Sequence, residues 1–452
     1  MDQGLGGSAV IPGAAASPVL GAERISAMDT LRGVAVLGIL LMNILGFAYP
    51  FVASFDPRAA GGVTGANLWI WAANTTLFEG KMRAIFSMLF GAGMLVLTSR
   101  LEQRGLGAQA ADVYYRRLLW LLVFGLIHAY FIWWGDILFF YSVLGLFLFP
   151  FRRLPARVLV TAGVVLLLIG AGRGLLGALD VRAVKAAAHA ADTAAAAGQT
   201  LTDAQKDAQK AWAERVKQSA ADPEALKRET DAYLGGYISG LRQRAGFLAT
   251  GHPKWLYHFF IFDIGGMMLV GIGLLKMNVF TARLSFRHYA LLALFGYGVG
   301  VPLASLAVWD DVTSGFDPVT VALGSVVHAV ARLPVALGHV AIVMMICKAG
   351  ILRWITMPLS AVGQTAFSGY ILTSIICTTI FYGYGFGQFG RLDRYQLYMI
   401  VVGVWLVLLI VSPLWLKRFR FGPLEWLWRS LTYVQRQPMS VRALPGASPT
   451  WT

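Results

Sequence analysis

The chain is poor in charge, poorer in acid than in base, and almost without cysteine. Of its 452 residues only 13% are Asp, Glu, Lys or Arg, against 57% hydrophobic, and the mean hydropathy is +0.63. A soluble protein of this size needs far more polar surface, so a water-soluble enzyme is excluded. The two cysteines, Cys347 and Cys377, lie in apolar stretches without metal-ligand spacing and read as small core residues rather than a disulfide. Strand-like alternation over ~10-residue segments is lacking, which argues against an outer-membrane barrel. There is no Walker A motif, no H-E-x-x-H and no G-x-S-x-G. ATP-driven transport and the familiar zinc and serine hydrolases therefore have no support, and no metal is expected. Gly385, Gly387 and Gly390 fit G-x-G-x-x-G but come after an apolar helix instead of a strand, so they do not mark a dinucleotide fold.

What is present is a series of long apolar runs. Ten can be drawn, at 31–50, 82–98, 117–134, 136–151, 157–179, 258–275, 289–308, 320–346, 358–382 and 396–416. The fold class is all-α, a polytopic transmembrane bundle of about ten spans with a soluble helical insert, and the lipid bilayer is its first partner. The 38 Lys and Arg against 23 Asp and Glu give a net charge of +15. Nucleic acid is not the expected partner, because the cations gather in short loops (99–117, 152–157, 276–287, 348–353 and 417–420) that fall on one side if the count is ten. By the positive-inside rule that side is cytoplasmic, which puts both termini inside and the protein in the inner membrane.

The chain divides into five regions. Residues 1–22 and 438–452 read as disordered tails; the former lacks the pattern of a cleaved signal peptide, so the first span is expected to direct insertion. Residues 23–179 form an N-terminal five-span core and 256–437 a C-terminal five-span domain with an amphipathic end. Between them, 180–255 carries eleven Lys/Arg and nine Asp/Glu without a spanning run, and reads as a helical insert outside the membrane. Thr202 with Gln205 suggests a capping box there, and Asp222-Pro223 a cap with proline at the first helical position. Residues 66–78 are apolar and aromatic but too short to cross, and fit an interfacial or re-entrant helix.

Ionisable groups at membrane depth are costly and mark functional cavities. The stretch Arg116 to Arg153 reads as a hairpin turning at Gly135-Asp136. As one helix it places Arg117, Leu121, Phe124, His128, Phe131 and Gly135 on a common face, with His128 roughly 10 Å below the turn. In the first run Asp29, Arg32, Val36, Ile39 and Asn43 form a polar stripe, for which an interfacial ion pair and interhelical bonding are the plainer readings. Glu79, Lys81 and Arg83 sit at the outer boundary of the second run, whose Gly91-Ala92-Gly93 suits close packing. In the eighth run His328, Arg332 and His339 share a face, and Arg332 needs a counter-charge from Asp263 or Asp136.

Several of these stretches together resemble the YeiB-like family of bacterial multi-pass membrane proteins: MDTLRGVAVLGILLMN, FEGKMRAIFSMLFGAGM, RRLLWLLVFGLIHAYFIWWGDILFFYSVLG, MMLVGIGLLK and the block FYGYGFGQFGRLDRYQLYMIV…SPLWLKRFRFGPLEWLWRSLTY. The last looks like the C-terminal domain of unknown function usual in that family. Asp29, Arg32, Gly33, Asn43, Gly80, Lys81, Arg83, His128, Gly135 and Asp136 fall on its motif positions. The segment GQTAFSGYILTS departs from the pattern, which would carry Asn where Gly369 stands and Gln where Thr373 stands.

The family is similar in its N-terminal core to transmembrane acyltransferases such as heparan-glucosaminide acetyltransferase. The resemblance implies transfer of an acyl group from a cytosolic acyl-CoA, such as acetyl-CoA, to a small-molecule, glycan or lipid acceptor near the opposite face. On that reading His128 is the general base and Asp136 orients it or its acceptor. Arg332 and Arg32 meet the anionic parts of the donor. Asp29, Asn43, Glu79, Lys81, Arg83, Asp263, His328 and His339 complete a polar route in one shared chamber. The alternatives are a transporter or permease for a small anionic or amphipathic solute, whose path the same charges would line, and a scaffold without activity. A second copy of the chain, in a homodimer, is a candidate partner.

Overall fold

Apolar runs bounded by arginine, glycine and proline become helices whose lengths the bilayer sets. The structure is a computed structural model and describes residues 26–59, 61–219 and 222–441; the tail expected at 1–22, and that at 438–452 beyond Val441, lie outside those residues. Among the described residues seventeen α-helices succeed one another: α1 (Ser26–Ala48), α2 (Phe51–Phe55), α3 (Gly65–Leu77), α4 (Lys81–Gln103), α5 (Ala110–Ile127), α6 (Leu138–Leu146), α7 (Ala156–Ala196), α8 (Asp203–Ser219), α9 (Pro223–Leu234), α10 (Tyr237–Trp255), α11 (Ile261–Lys276), α12 (Phe286–Thr313), α13 (Pro318–Ala349), α14 (Arg353–Gln364), α15 (Ala366–Phe381), α16 (Arg394–Leu416) and α17 (Pro423–Tyr433). Among the described residues eight helical stretches are long and apolar enough to cross a membrane, and α14–α15, bent by 87°, makes a ninth. The run left over, 136–151, is the return leg of the hairpin, where α6 holds only nine residues before a 3-10 turn at Phe149–Arg153.

The basic ends of the helices meet on one face. Ser26, Arg100, Asn278 and Arg283 line a common hollow there, Arg152 reaches Glu102 at 3.5 Å, and the Lys276 ammonium donates to the Leu154 carbonyl at 2.6 Å. Close helix crossings hold the interior. In α4 and α11 a Cβ at Gly91 would run into the Met268 carbonyl and one at Gly271 into the Met88 carbonyl, so only glycine lets the two backbones approach. Gly33 of α1 and Gly363 of α14 make the same reciprocal contact. Gly93, grouped with Gly91 in the sequence, has open space around its Cβ position.

The short aromatic helix appears as α3, with Trp69 75% exposed and Trp71 buried against Phe316 at 5.3 Å between ring centroids. The 180–255 stretch divides in two. Its first part is solvated: α7 is a single helix of 41 residues, about 60 Å long, and α8 folds back along it through Gln209–Asp192 (2.6 Å) and Arg215–Asp180 (3.0 Å). The Thr202–Gln205 box forms at 2.9 and 3.3 Å, and Asp222 caps α9 through the Glu224 amide at 3.1 Å. The second part docks on the bundle. Gly383 donates to the Tyr233 carbonyl at 3.0 Å, and Arg244 of α10 is only 1% exposed. Composition alone gave no sign of that return.

Candidate functional site

His128 is reached at the point where α5 changes its winding. The α-helix ends at Ile127 and continues as a π-turn over His128–Ile132, with the Trp133 amide donating to the His128 carbonyl at 2.9 Å. A π-turn adds a residue to the turn and rotates the side chains beyond it. The single face expected for residues 117–135 therefore breaks here: His128 is 1% exposed, whereas Phe131 is 52% exposed and faces outward. Arg244 takes the carbonyls of Tyr130 and Phe131, both at 3.3 Å, and the Tyr237 hydroxyl also donates to Phe131 at 2.9 Å. After the turn the Trp133 indole anchors on the Gly46 carbonyl of α1 at 3.1 Å. Trp133's ring also lies where a Cβ of Gly135 would be, so that position accepts only glycine.

Asp136 then comes back beneath the imidazole. Its Oδ2 lies 2.8 Å from His128 Nδ1, and its Oδ1 accepts the Phe139 amide at 2.7 Å at the start of α6. The other ring nitrogen, Nε2, lies 2.9 Å from Ser374 Oγ on α15. Asp136, His128 and Ser374 are 3%, 1% and 0% exposed. With Asp136 as acceptor, Nδ1 would carry the proton and Nε2 would be left to accept from the serine hydroxyl. This is an acid–imidazole–hydroxyl chain of the kind that activates nucleophiles. Sequence reading joined the first two residues and missed the third. Ser374 closes the segment GQTAFSGYILTS, but a serine in an apolar run is commonplace by itself. At the departures from the family pattern, the Thr373 hydroxyl is used within its own helix, donating to the Gly369 carbonyl at 2.8 Å.

A cavity of about 280 Å³ runs from the basic face toward this chain. Four members of the α1 stripe, Asp29, Arg32, Val36 and Ile39, line it, and Asn43 continues the face one turn deeper, half-buried. Arg32 is held by Asp29 at 2.7 Å and by the Gly363 carbonyl at 3.2 Å. Arg117 also lines the cavity, its guanidinium 3.7 Å from the centroid of Trp428. Nearby Glu425 accepts the amides of Phe367 (2.6 Å) and Ser368 (3.1 Å) at the start of α15; burial raises its carboxyl above the usual range, with the Ser368 and Phe367 hydrogen bonds acting against that. At the inner end stand Ile137, Tyr141 and Tyr370. The Tyr370 ring lies 4.9 Å from the imidazole, centroid to centroid.

The remaining sequence-predicted residues form a second centre. Asp263 on α11 binds Arg83 of α4 at 2.9 Å and Arg332 of α13 through its other oxygen. Of the two counter-charges foreseen for Arg332, Asp263 is the one used. Lys81 donates to the Thr75 carbonyl at 2.5 Å and Glu79 accepts from the Thr75 hydroxyl at 3.1 Å. His339 has both ring nitrogens occupied, by the Leu77 carbonyl (2.7 Å) and the Tyr297 hydroxyl (2.8 Å). The buried nitrogens of His328 have no partner among the described residues. One chamber holding His128, Asp136 and Arg332 is thus not what forms. Tyr141 stands between the two centres, lining the cavity and bonding to Ser87 at 3.0 Å and to the Arg83 carbonyl at 3.4 Å. Arg332 is turned to Asp263, away from the cavity, because a buried arginine is stabilised by the nearest carboxylate.

Fold and site together define a polytopic helical membrane protein with a buried Asp–His–Ser chain beside an internal cavity. The family described as "Protein of unknown function (DUF418)" matches residues 274–435. The chain is 30% identical over 419 residues to the uncharacterized protein YeiB of Escherichia coli K12, covering 91% of this chain and 96% of that one. It is 29% identical to the uncharacterized protein YxaH of Bacillus subtilis, covering 94% and 98%. The chain belongs to the YeiB family. No solved structure matches it.

Proposed function

We propose that this protein is a membrane-embedded acyltransferase of the bacterial inner membrane, with both termini cytoplasmic. It takes an acyl group from a cytosolic acyl-CoA, acetyl-CoA in the simplest case, and passes it to a hydroxyl or amine acceptor of the envelope. The observation that carries this reading is His128 fixed between Asp136 (2.8 Å) and Ser374 (2.9 Å), next to the inner end of a cavity whose outer part holds arginines. Asp136 holds Nδ1, so Nε2 is the ring nitrogen that takes and returns a proton. Arg32 and Arg117 supply positive charge for an anionic donor at the basic face, and the apolar walls at Leu118, Leu121 and Leu138 suit its acyl part.

The test is incorporation of radiolabel from acetyl-CoA into a crude envelope acceptor fraction by the purified protein. His128→Ala is expected to abolish incorporation while the melting temperature stays within a few degrees; unchanged turnover removes His128 from the chemistry. A second reading, a permease for a small anionic or amphipathic solute, draws on the Asp263–Arg83–Arg332 cluster, since buried charges also line translocation paths. Solute flux into proteoliposomes without CoA would favour it.

A further inference from the structure

We infer that Ser374 is the nucleophile, and that transfer runs through an acyl ester on its Oγ. The inference rests on the acyltransferase reading and adds a covalent intermediate to it.

The first observation is a departure within one helix. Hydroxyls on a helix ordinarily bond to a carbonyl one turn back, and three neighbours of Ser374 on α15 do so at one length. Thr373 donates to Gly369, Thr378 to Ser374 and Thr379 to Ile375, each at 2.8 Å. Ser374 alone of these four stretches that bond, to 3.2 Å from the Tyr370 carbonyl, and lies closer to the imidazole at 2.9 Å. A serine serving only to fill its helix has no need to lean toward Nε2. The second observation is that Nε2 is already engaged. Nδ1 is held by Asp136, so the hydroxyl that the base can deprotonate without rearrangement is that of Ser374. Asp136 touches neither donor nor acceptor and is a positioning residue.

The third observation concerns access. Tyr370 lies one turn before Ser374; its ring lines the cavity and also packs on the imidazole at 4.9 Å. Its hydroxyl meets the Gly135 carbonyl at 3.5 Å, the outer limit of a hydrogen bond. Tyr370 thus borders both the cavity and the imidazole that faces Ser374.

The steps balance with a thioester and an acceptor alone. Ser374 Oγ attacks the thioester carbonyl carbon while its proton passes to Nε2. The carbon–sulfur bond breaks, the thiolate leaves and takes that proton, and the acyl group remains as an ester on Oγ. An acceptor hydroxyl or amine then attacks the ester carbonyl and gives its proton to Nε2. The carbon–Oγ bond breaks, and Oγ recovers the proton. Donor and acceptor need never be present together, which suits substrates that arrive from opposite faces.

The experiment is rapid acid quench of the purified full-length protein after mixing with [14C]acetyl-CoA or [14C]octanoyl-CoA, and then peptide mapping. The expected result is near-stoichiometric label within residues 366–381, released by hydroxylamine, absent from Ser374→Ala and His128→Ala. Ser374→Ala should also lose about a thousandfold in transfer while keeping its melting temperature. Ser374→Cys should accept label as a thioester, which guards against a variant that is merely misfolded. Label on another residue, or wild-type transfer with no trapped ester, overturns the inference and leaves the acyltransferase reading standing, as does Ser374→Ala turning over within a factor of three of wild type. Neither label nor transfer in the wild type overturns both.

Discussion

Glu229 sits where a carboxylate is poorly solvated, on the inner side of α9, accepting the Phe51 amide at 3.0 Å. Burial pushes its carboxyl up from 4.5 to about 7, with the Phe51 hydrogen bond acting the other way. The folded chain therefore holds a proton that the unfolded chain has released between those two values. Stability from this group is full below about pH 4.5 and is lost as pH rises toward 7. Glu229→Gln keeps an oxygen for the Phe51 amide and removes the charge. Thermal unfolding in detergent should show the variant more stable than wild type at pH 8 by about 1–2 kcal/mol, a figure reduced by solvent at a half-buried position. The two should converge near pH 5; a gap that stays constant across that range would sink the assignment. The sequence signalled individual residues unevenly. Asp29, Arg32, His128 and Asp136 stood out as polar residues in apolar runs, whereas Ser374, one hydroxyl among several on α15, carried no signal until the fold brought it to Nε2.

Among elements, the π-turn at His128–Ile132 decides the most. Helical periodicity assumes 3.6 residues per turn throughout, and nothing in HAYFI announces the wider winding. The expectation that Phe131 shares a face with His128 fails for that reason. The carbonyls that a π-turn releases need new donors, and α10 supplies them from the stretch that composition marks as solvated. Arg244→Ala leaves the Tyr130 carbonyl without that donor and removes one of two from Phe131. The expected cost is about 2–3 kcal/mol for a buried polar group left unpaired, with faster amide exchange over residues 128–133. Exchange rates matching wild type would show that α10 is only a cover. Arg244→Lys restores charge but not the two-pronged geometry, and should recover stability only in part.

Over the whole molecule, what the sequence conveyed best was the all-helical, many-spanning architecture, with eight or nine spans against the ten drawn. Each of the ten runs corresponds to a helix, a helix pair or the short return leg, and the basic ends do meet on one face. What it conveyed least was which runs touch. His128 and Ser374 are 246 positions apart, and one chain offers no periodicity that joins them. The α4–α11 crossing shows how such pairings are fixed. It carries Arg83 on one helix and Asp263 on the other, so helix spacing sets the ion cluster. Gly271→Ala places a methyl on the Met88 carbonyl and must spread the two backbones. A loss of about 2–3 kcal/mol is expected, read as a lowered melting temperature in detergent. Gly93→Ala, with nothing in contact, should change it little and serves as the matched control.

The dryness of the Asp–His–Ser chain has one further consequence. With its three members only 0–3% exposed, an ester formed there would meet almost no competing water. Such a site would idle when no acceptor is near, keeping its acyl ester in store instead of leaking it to hydrolysis. A slow background breakdown of the donor would then be a property of the sealed interior itself.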